Sequence, residues 1–343
     1  MGGKITPRLK RPDGNQGALE LSGLCIRAQS NGTRGVPMSA GNFVFEGDCL
    51  PPQFSPSREC IAMPTAIIDG YIAEGFALIA DGLSTDPETK VPRRKNNQKV
   101  FPAGGSGRML AYALYGTAKI SGRYGPHPAL DLSDEAQQAV MELVNYDPAD
   151  LLTYATEVCG RLQKRLAEWK GRIEYPCTAP DLGNPGQFVI LQVFFRGFYR
   201  GAPAKVDVKI VHKDGAVAIE AFSLPLRIGF MTVGSQKVHD ALLTRLYFDP
   251  SLAAFRIPAM EKNDDDLTLD DIISVAASYI RACESEAGRK IDPDIAPTIG
   301  GRVHAVTITM RDGARWAEGY AHPNGEIGIP ILHAASNSLS SQT

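Results

Sequence analysis

No two cysteines in this chain form a C-x-x-C pair; the six present (Cys25, Cys49, Cys60, Cys159, Cys177 and Cys283) are scattered along its length. That spacing excludes a zinc ribbon or a dense disulfide framework and fits a reducing, cytoplasmic setting. Long apolar runs are also missing. The longest, residues 188–195, is interrupted by Gln192 and falls far short of the ~20 residues of a membrane-spanning helix. Neither sign of charge dominates: 36 Lys and Arg stand against 38 Asp and Glu, a formal net charge of −2. There is thus no electrostatic case for nucleic acid or an anionic membrane as partner. The first residues, M-G-G-K-I-T-P-R-L-K-R-P-D-G, lack the apolar stretch of a signal peptide. The G-G-S-G at 104–107 is not followed by the G-K-[S/T] of a phosphate loop, and the acidic run 263–266 lacks the Gly and terminal Glu of a calcium loop. No cofactor and no metal are expected.

What is present is an ordinary globular composition, 43% apolar and 22% charged. Residues 1–64 are rich in Gly, Pro, Ser and Asn and read either as a leader or as an extension packed on the domain. From residue 65 the pattern becomes regular. The segment 65–99 reads as a strand holding Ile67 and Ile68, a turn around Gly70 and Glu74-Gly75, a second strand ending on Asp81, a polar loop, and a third strand opening at Lys99. Residues 109–114 form a strand running into Gly116. Helices follow at 133–146, with Ser133 as N-cap, and at 150–170, broken apart by Asp147-Pro148. Four strands are expected at 187–195, 204–212, 216–222 and 226–233, with Asp214-Gly215 as a hairpin turn. Ser235 then opens a helix. Thr268 caps another, with Asp270 and Asp271 favoured in its first turn by the helix dipole. Strands at 302–309, 316–320 and 325–331 and a Ser-rich tail at 334–343 complete the chain.

Thr65 followed sixteen residues later by Asp81, inside Ala80-Asp81-Gly82-Leu83-Ser84, and then by Lys99 in K-V-F, resembles the catalytic core of proteasome β-type subunits, the threonine peptidases among the N-terminal-nucleophile hydrolases. The resemblance covers roughly residues 65–325. It implies a Thr65 nucleophile freed by self-cleavage, with 1–64 as propeptide, 65–333 as the hydrolase domain and 334–343 as tail. Gly116, in Gly116-Thr117-Ala118, falls where the family offers a backbone N–H to the oxyanion; read alone it is a strand-to-loop glycine. Ser235 falls where a serine supports the threonine amine; read alone it is a helix N-cap. The Asp81–Lys99 pair can also be a structural ion pair.

The chain departs from the family pattern in three places. Pro64 stands where the precursors carry Gly. Ala296 and Ile299 stand where the family has a late Asp and Ser, with Asp292 or Asp294 as the candidate substitutes. The Gly-Ser-Gly at the serine keeps only Gly234-Ser235. Grouped runs of strands and helices, rather than alternation, argue for α+β with mostly antiparallel strands. The resemblance narrows this to a four-layer αββα sandwich, two antiparallel sheets flanked by helices, the N-terminal-nucleophile hydrolase fold. It further implies a polypeptide substrate and an oligomeric ring, either as a peptidase or as an inactive scaffold subunit that keeps its leader.

Overall fold

The computed structural model describes residues 65–85, 91–105, 107–116, 119–120, 130–168, 179–180, 187–213, 215–244 and 247–322. The proposed leader 1–64, the residues Thr117-Ala118, Asp214, the strand expected at 325–331 and the tail 334–343 lie outside them.

Two antiparallel sheets carry the fold. The first has the order β8-β1-β2-β9-β10, from β1 (Ile67–Ile72), β2 (Gly75–Asp81), β8 (Gly229–Val233), β9 (Val303–Thr309) and β10 (Gly313–Trp316). The second has the order β7-β6-β5-β4-β3, from β3 (Val100–Pro102), β4 (Arg108–Gly116), β5 (Gln187–Tyr199), β6 (Ala202–Lys213) and β7 (Ala216–Ser223), with the two-residue strand Ala179–Pro180 also pairing to β5. Helices α1 (Leu132–Glu142) and α2 (Leu151–Glu168) cover the second sheet; α3 (Gln236–Leu243), α4 (Leu269–Glu284) and α5 (Glu286–Ile291) cover the first.

Three apolar layers account for this order. Ile67, Phe76, Leu78 and Ala80 meet Val100, Ala113, Phe194 and Phe198 between the sheets. Ile68, Ala77 and Ile79 face Ile272, Ala276 and Ile280 of α4. Tyr112, Phe195 and Val208 face Leu151, Val158 and Leu162 of α2. The chain is therefore α+β with four layers, αββα. Every residue of β2 is buried, because it is central in its sheet and covered on both faces. That is why its sequence, G-F-A-L-I-A-D, is a continuous apolar run rather than an alternation.

The local chemistry explains the element ends and corrects several expectations. Gly70 lies in the middle of β1, paired with Ala77, and not in the turn. A Cβ there would sit 2.7 Å from Ile272 Cδ1, so glycine lets α4 approach the sheet. Gly70→Ala is expected to cost about 1–3 kcal/mol through overpacking, read as a lowered midpoint in chemical denaturation. Helix α1 is capped by Asp131, whose carboxylate accepts from Ser133 N–H, so Ser133 is inside the helix rather than its cap. Arg108 of β4 closes the other end of α1, donating to the carbonyls of Leu143 (3.2 Å), Val144 (2.6 Å) and Tyr146. Thr268 and Asp271 form a reciprocal capping box at α4, as the sequence predicts. The last described strand spans Gly313–Trp316 rather than 316–320, because the turn closed by Thr309 and Asp312 starts it earlier. No described helix is long and apolar enough to cross a membrane.

Candidate active site

At one end of the first sheet, Asp81 finishes β2 with its side chain wholly buried. Its Oδ1 accepts from the Ala66 backbone N–H at 2.9 Å and from Lys99 Nζ at 2.8 Å. Its Oδ2 accepts from the Leu83 N–H at 3.2 Å and the Gly300 N–H at 3.1 Å. One carboxylate thus ties together the residue after Thr65, the lysine that opens β3 from the opposite sheet, and the Gly300-Gly301 turn before β9. Burial pushes the Asp81 carboxyl up from its usual range and the Lys99 ammonium down from its own. In each case the partner charge opposes that shift.

Thr65 is buried and precedes β1. The Asp81 N–H donates to the Ala66 carbonyl at 3.1 Å, extending the ladder past the end of the strand. Strand alternation puts residue 65 on the face of Ile67, which packs between the sheets. That is the side from which Lys99 arrives. On the other flank, Ile67 pairs with Val233 of β8, and a Cβ on Gly234 would meet Ala66 Cα at 3.4 Å. The same register carries Ser235 toward Thr65.

Ser235 takes the capping part that its sequence position allowed. It is the N-cap of α3, its Oγ accepting from Val238 N–H at 3.2 Å. The same Oγ donates to Asp292 Oδ2 at 2.6 Å. Of the two candidate acids, Asp292 is buried beside Ser235, whereas Asp294 is exposed. Tyr279 of α4 donates its OH to the Ser235 carbonyl at 3.1 Å. Ile299 and Ala296, at the departed family positions, are buried in the apolar layer under α4.

Gly116 ends β4. Leu114, two residues before it, donates its N–H to the Lys99 carbonyl at 2.9 Å, and the alternation of the ladder turns the Gly116 N–H to the same side. Gly116 has φ 110°, and a Cβ would lie 2.8 Å from the Ile190 carbonyl oxygen. Only glycine meets both conditions without strain.

Two features went unread in the sequence. The first is an ion network buried between the sheets. Arg196 of β5 donates to Asp69 of β1 (Nε–Oδ2 2.6 Å) and to Asp207 of β6 (2.7 Å), and Lys205 of β6 pairs with Asp69 at 2.7 Å. Burial alone would raise the Asp69 carboxyl, but the Arg196 and Lys205 charges outweigh it and hold the pKa low. The signal was available: Asp69 and Arg196 are single charges inside apolar strands.

The second is His304 of β9, fully buried, whose Nε2 lies 2.9 Å from Asn96 Oδ1. Burial, then the charges of His322, Arg302 and Lys99, push its pKa down to about 3. An unfolded histidine titrates near 6.5, so between those values the unfolded chain binds the extra proton. Stability is expected to fall as pH drops from about 6.5 toward 3. His304→Gln should flatten that part of the stability–pH curve, measured by denaturant midpoints across the window.

Among the described residues no group of three or more His, Cys, Asp or Glu side chains could hold a metal ion. No family model and no curated protein sequence matches the chain. Among solved structures, the chain is similar to the Gly-1 mutant of Anbu from Hyphomicrobium sp. strain MC1. The identity is 11% and the TM-score 0.41, over 76% of this chain and 90% of that one. The layer order given above stands on this chain's own strand pairing.

Proposed function

We propose that the chain is a proteasome-like threonine-type endopeptidase, an N-terminal-nucleophile hydrolase whose Thr65 becomes the first residue by self-cleavage. The observation that carries this reading is the shared Asp81 oxygen, which accepts from both the Ala66 N–H and Lys99 Nζ. It anchors the backbone next to Thr65 to a buried cation, the arrangement an N-terminal nucleophile needs.

In this reading the Thr65 Oγ attacks a peptide carbonyl while the freed α-amine takes its proton, directly or through water. An α-amine titrates near 8 when unperturbed, and the adjacent Lys99 charge lowers that value toward neutrality. Asp81 balances and positions Lys99. The Gly116 N–H donates to the oxyanion. Ser235, held by Asp292, orients the amine. Before maturation the same hydroxyl adds to the carbonyl of Pro64; the adduct breaks its C–N bond, the hydroxyl proton passing to the nitrogen and freeing the Thr65 amine, and water then hydrolyses the resulting ester, releasing 1–64 as a carboxylic acid and restoring the Thr65 hydroxyl. The hydrolase domain then spans 65–333, and the enzyme works in the cytoplasm as an oligomeric ring on polypeptides.

Pro64 favours a second reading. Its fixed φ restricts the strained turn that self-cleavage requires, and an uncleaved chain would be an inactive ring or scaffold subunit. Intact mass and N-terminal sequencing of the purified, assembled protein separate the two. A chain beginning at Thr65 is expected; a chain still carrying Met63-Pro64 after prolonged incubation would reject the threonine mechanism in favour of the scaffold.

A further inference from the structure

His304 has no place in the mechanism above, yet it is buried one strand from Asp81. Its neighbour Val303 pairs with Asp81, and His304 itself pairs with Ala80. It shares the inter-sheet side of β9 with Val306 and Ile308, the side from which Lys99 reaches its carboxylate. With Asn96 Oδ1 accepting at Nε2, the proton of the neutral ring is on Nε2 and Nδ1 carries a bare lone pair. That Nδ1 is buried and has no hydrogen-bond partner among the described residues. A buried acceptor left unmatched costs about 1–3 kcal/mol, so its retention calls for a donor that the resting side-chain contacts do not supply.

We propose that His304 is a positioning residue of the Asp81–Lys99 centre: a neutral imidazole whose Nδ1 accepts a hydrogen bond relayed from the Lys99 ammonium through one bridging water. This rests on reading Asp81–Lys99 as the catalytic pair. Lys99 Nζ has three protons, one of which goes to Asp81. A neutral acceptor for a second proton fixes the direction of the ammonium without cancelling its charge, as a second carboxylate would. The loop bearing Asn96 is itself anchored over the strand ends, with Asn97 N–H on the Gly82 carbonyl at 2.8 Å and Arg302 N–H on the Lys95 carbonyl at 2.8 Å. The imidazole is therefore held from the same loop that delivers Lys99. The charged and titratable groups around it are Lys99 and Asp81 at the strand ends, Arg302 before β9, and His322 of the C-terminal segment, whose ring centroid is 4.9 Å away. Burial, with the Arg302 and Lys99 charges beside it, keeps the ring neutral over the working range.

The test uses the full-length protein with 15N-labelled histidine and 13C-labelled lysine. In the wild type, His304 should show protonated Nε2 and unprotonated Nδ1 from neutral pH down to about 4, consistent with the depressed pKa. His304→Phe, which keeps the ring volume and removes the acceptor, should move the Lys99 titration downward. It should also lower kcat about tenfold with KM unchanged, less than the 10²–10⁴ of a group that transfers the proton itself. His304→Asn, which restores an acceptor, should recover most of both. An Nδ1–H tautomer in the wild type overturns the proposal without any variant, should His304→Phe fail to fold. An unmoved Lys99 titration in a folded His304→Phe overturns it as well. Hydrolysis is scored separately: a wild type with no peptidase activity rejects the endopeptidase reading, whereas the Lys99 titration judges His304 alone.

Discussion

Thr65→Ala is expected to leave the chain uncleaved between residues 64 and 65 and to lower peptide hydrolysis by at least about three orders of magnitude, the scale of removing a covalent nucleophile. The fold should survive. Thr65 precedes the first strand, and the anchoring bond to Asp81 comes from the Ala66 backbone N–H, which the substitution does not touch. Denaturation midpoints within about 1 kcal/mol of wild type would separate lost chemistry from lost structure. Thr65→Ser, which keeps a hydroxyl, should retain both processing and measurable activity. Mass spectrometry of the purified variants and a peptide-hydrolysis assay read both expectations. Full hydrolysis by Thr65→Ala would remove the nucleophile from this site.

Arg196→Met should have the largest effect on stability. Arg196 is wholly buried and bridges Asp69 and Asp207 across the two sheets. Its removal leaves two buried carboxylates with Lys205 as their principal cation. Breaking a buried pair in this way costs about 3–5 kcal/mol, a large part of the 5–15 kcal/mol that holds a typical domain together. Urea denaturation should show the loss as a shifted midpoint with little change in slope. Adding Asp207→Asn to Arg196→Met should recover part of it, since the stranded charge is the main penalty. A loss of under 1 kcal/mol in the single variant would mean that the network relaxes around the gap.

How far the sequence could be read differs between elements, for physical reasons. The amphipathic helices were legible because one face of each packs on a sheet and the other meets solvent; the apolar positions of α2 and the Thr268 cap of α4 fall where the pattern puts them. The αββα layering was legible from the grouping of strands and helices together with the family resemblance. The spacing of Asp81 and Lys99 marks them in the sequence, and the structure brings them together. That Asp292 rather than Asp294 meets Ser235 is not legible, since it depends on the C-cap geometry of α5 and the Pro-containing turn after it. The placement of Asp69, Arg196 and His304 is not legible because a strand covered on both faces has no polar side, so alternation cannot tell an inward charge from an outward one. Ser133 and Asp131 are equally good caps by residue type; only the start of the helix distinguishes them.

The Asp81 carboxylate collects donors separated in sequence by 2, 15, 18 and 219 positions. Long-range closure of this kind is slow, because loop entropy is lost before the contact repays it. It also imposes an order on synthesis. The Gly300 amide leaves the ribosome 219 residues after Asp81, which at 5–20 residues per second is roughly 10–40 s later. A nascent or truncated chain therefore lacks one wall of the centre for all that time. In the proposed endopeptidase, cleavage at Thr65 would then act as a timer, marking chains that have finished folding and sparing their unfinished neighbours from a premature protease.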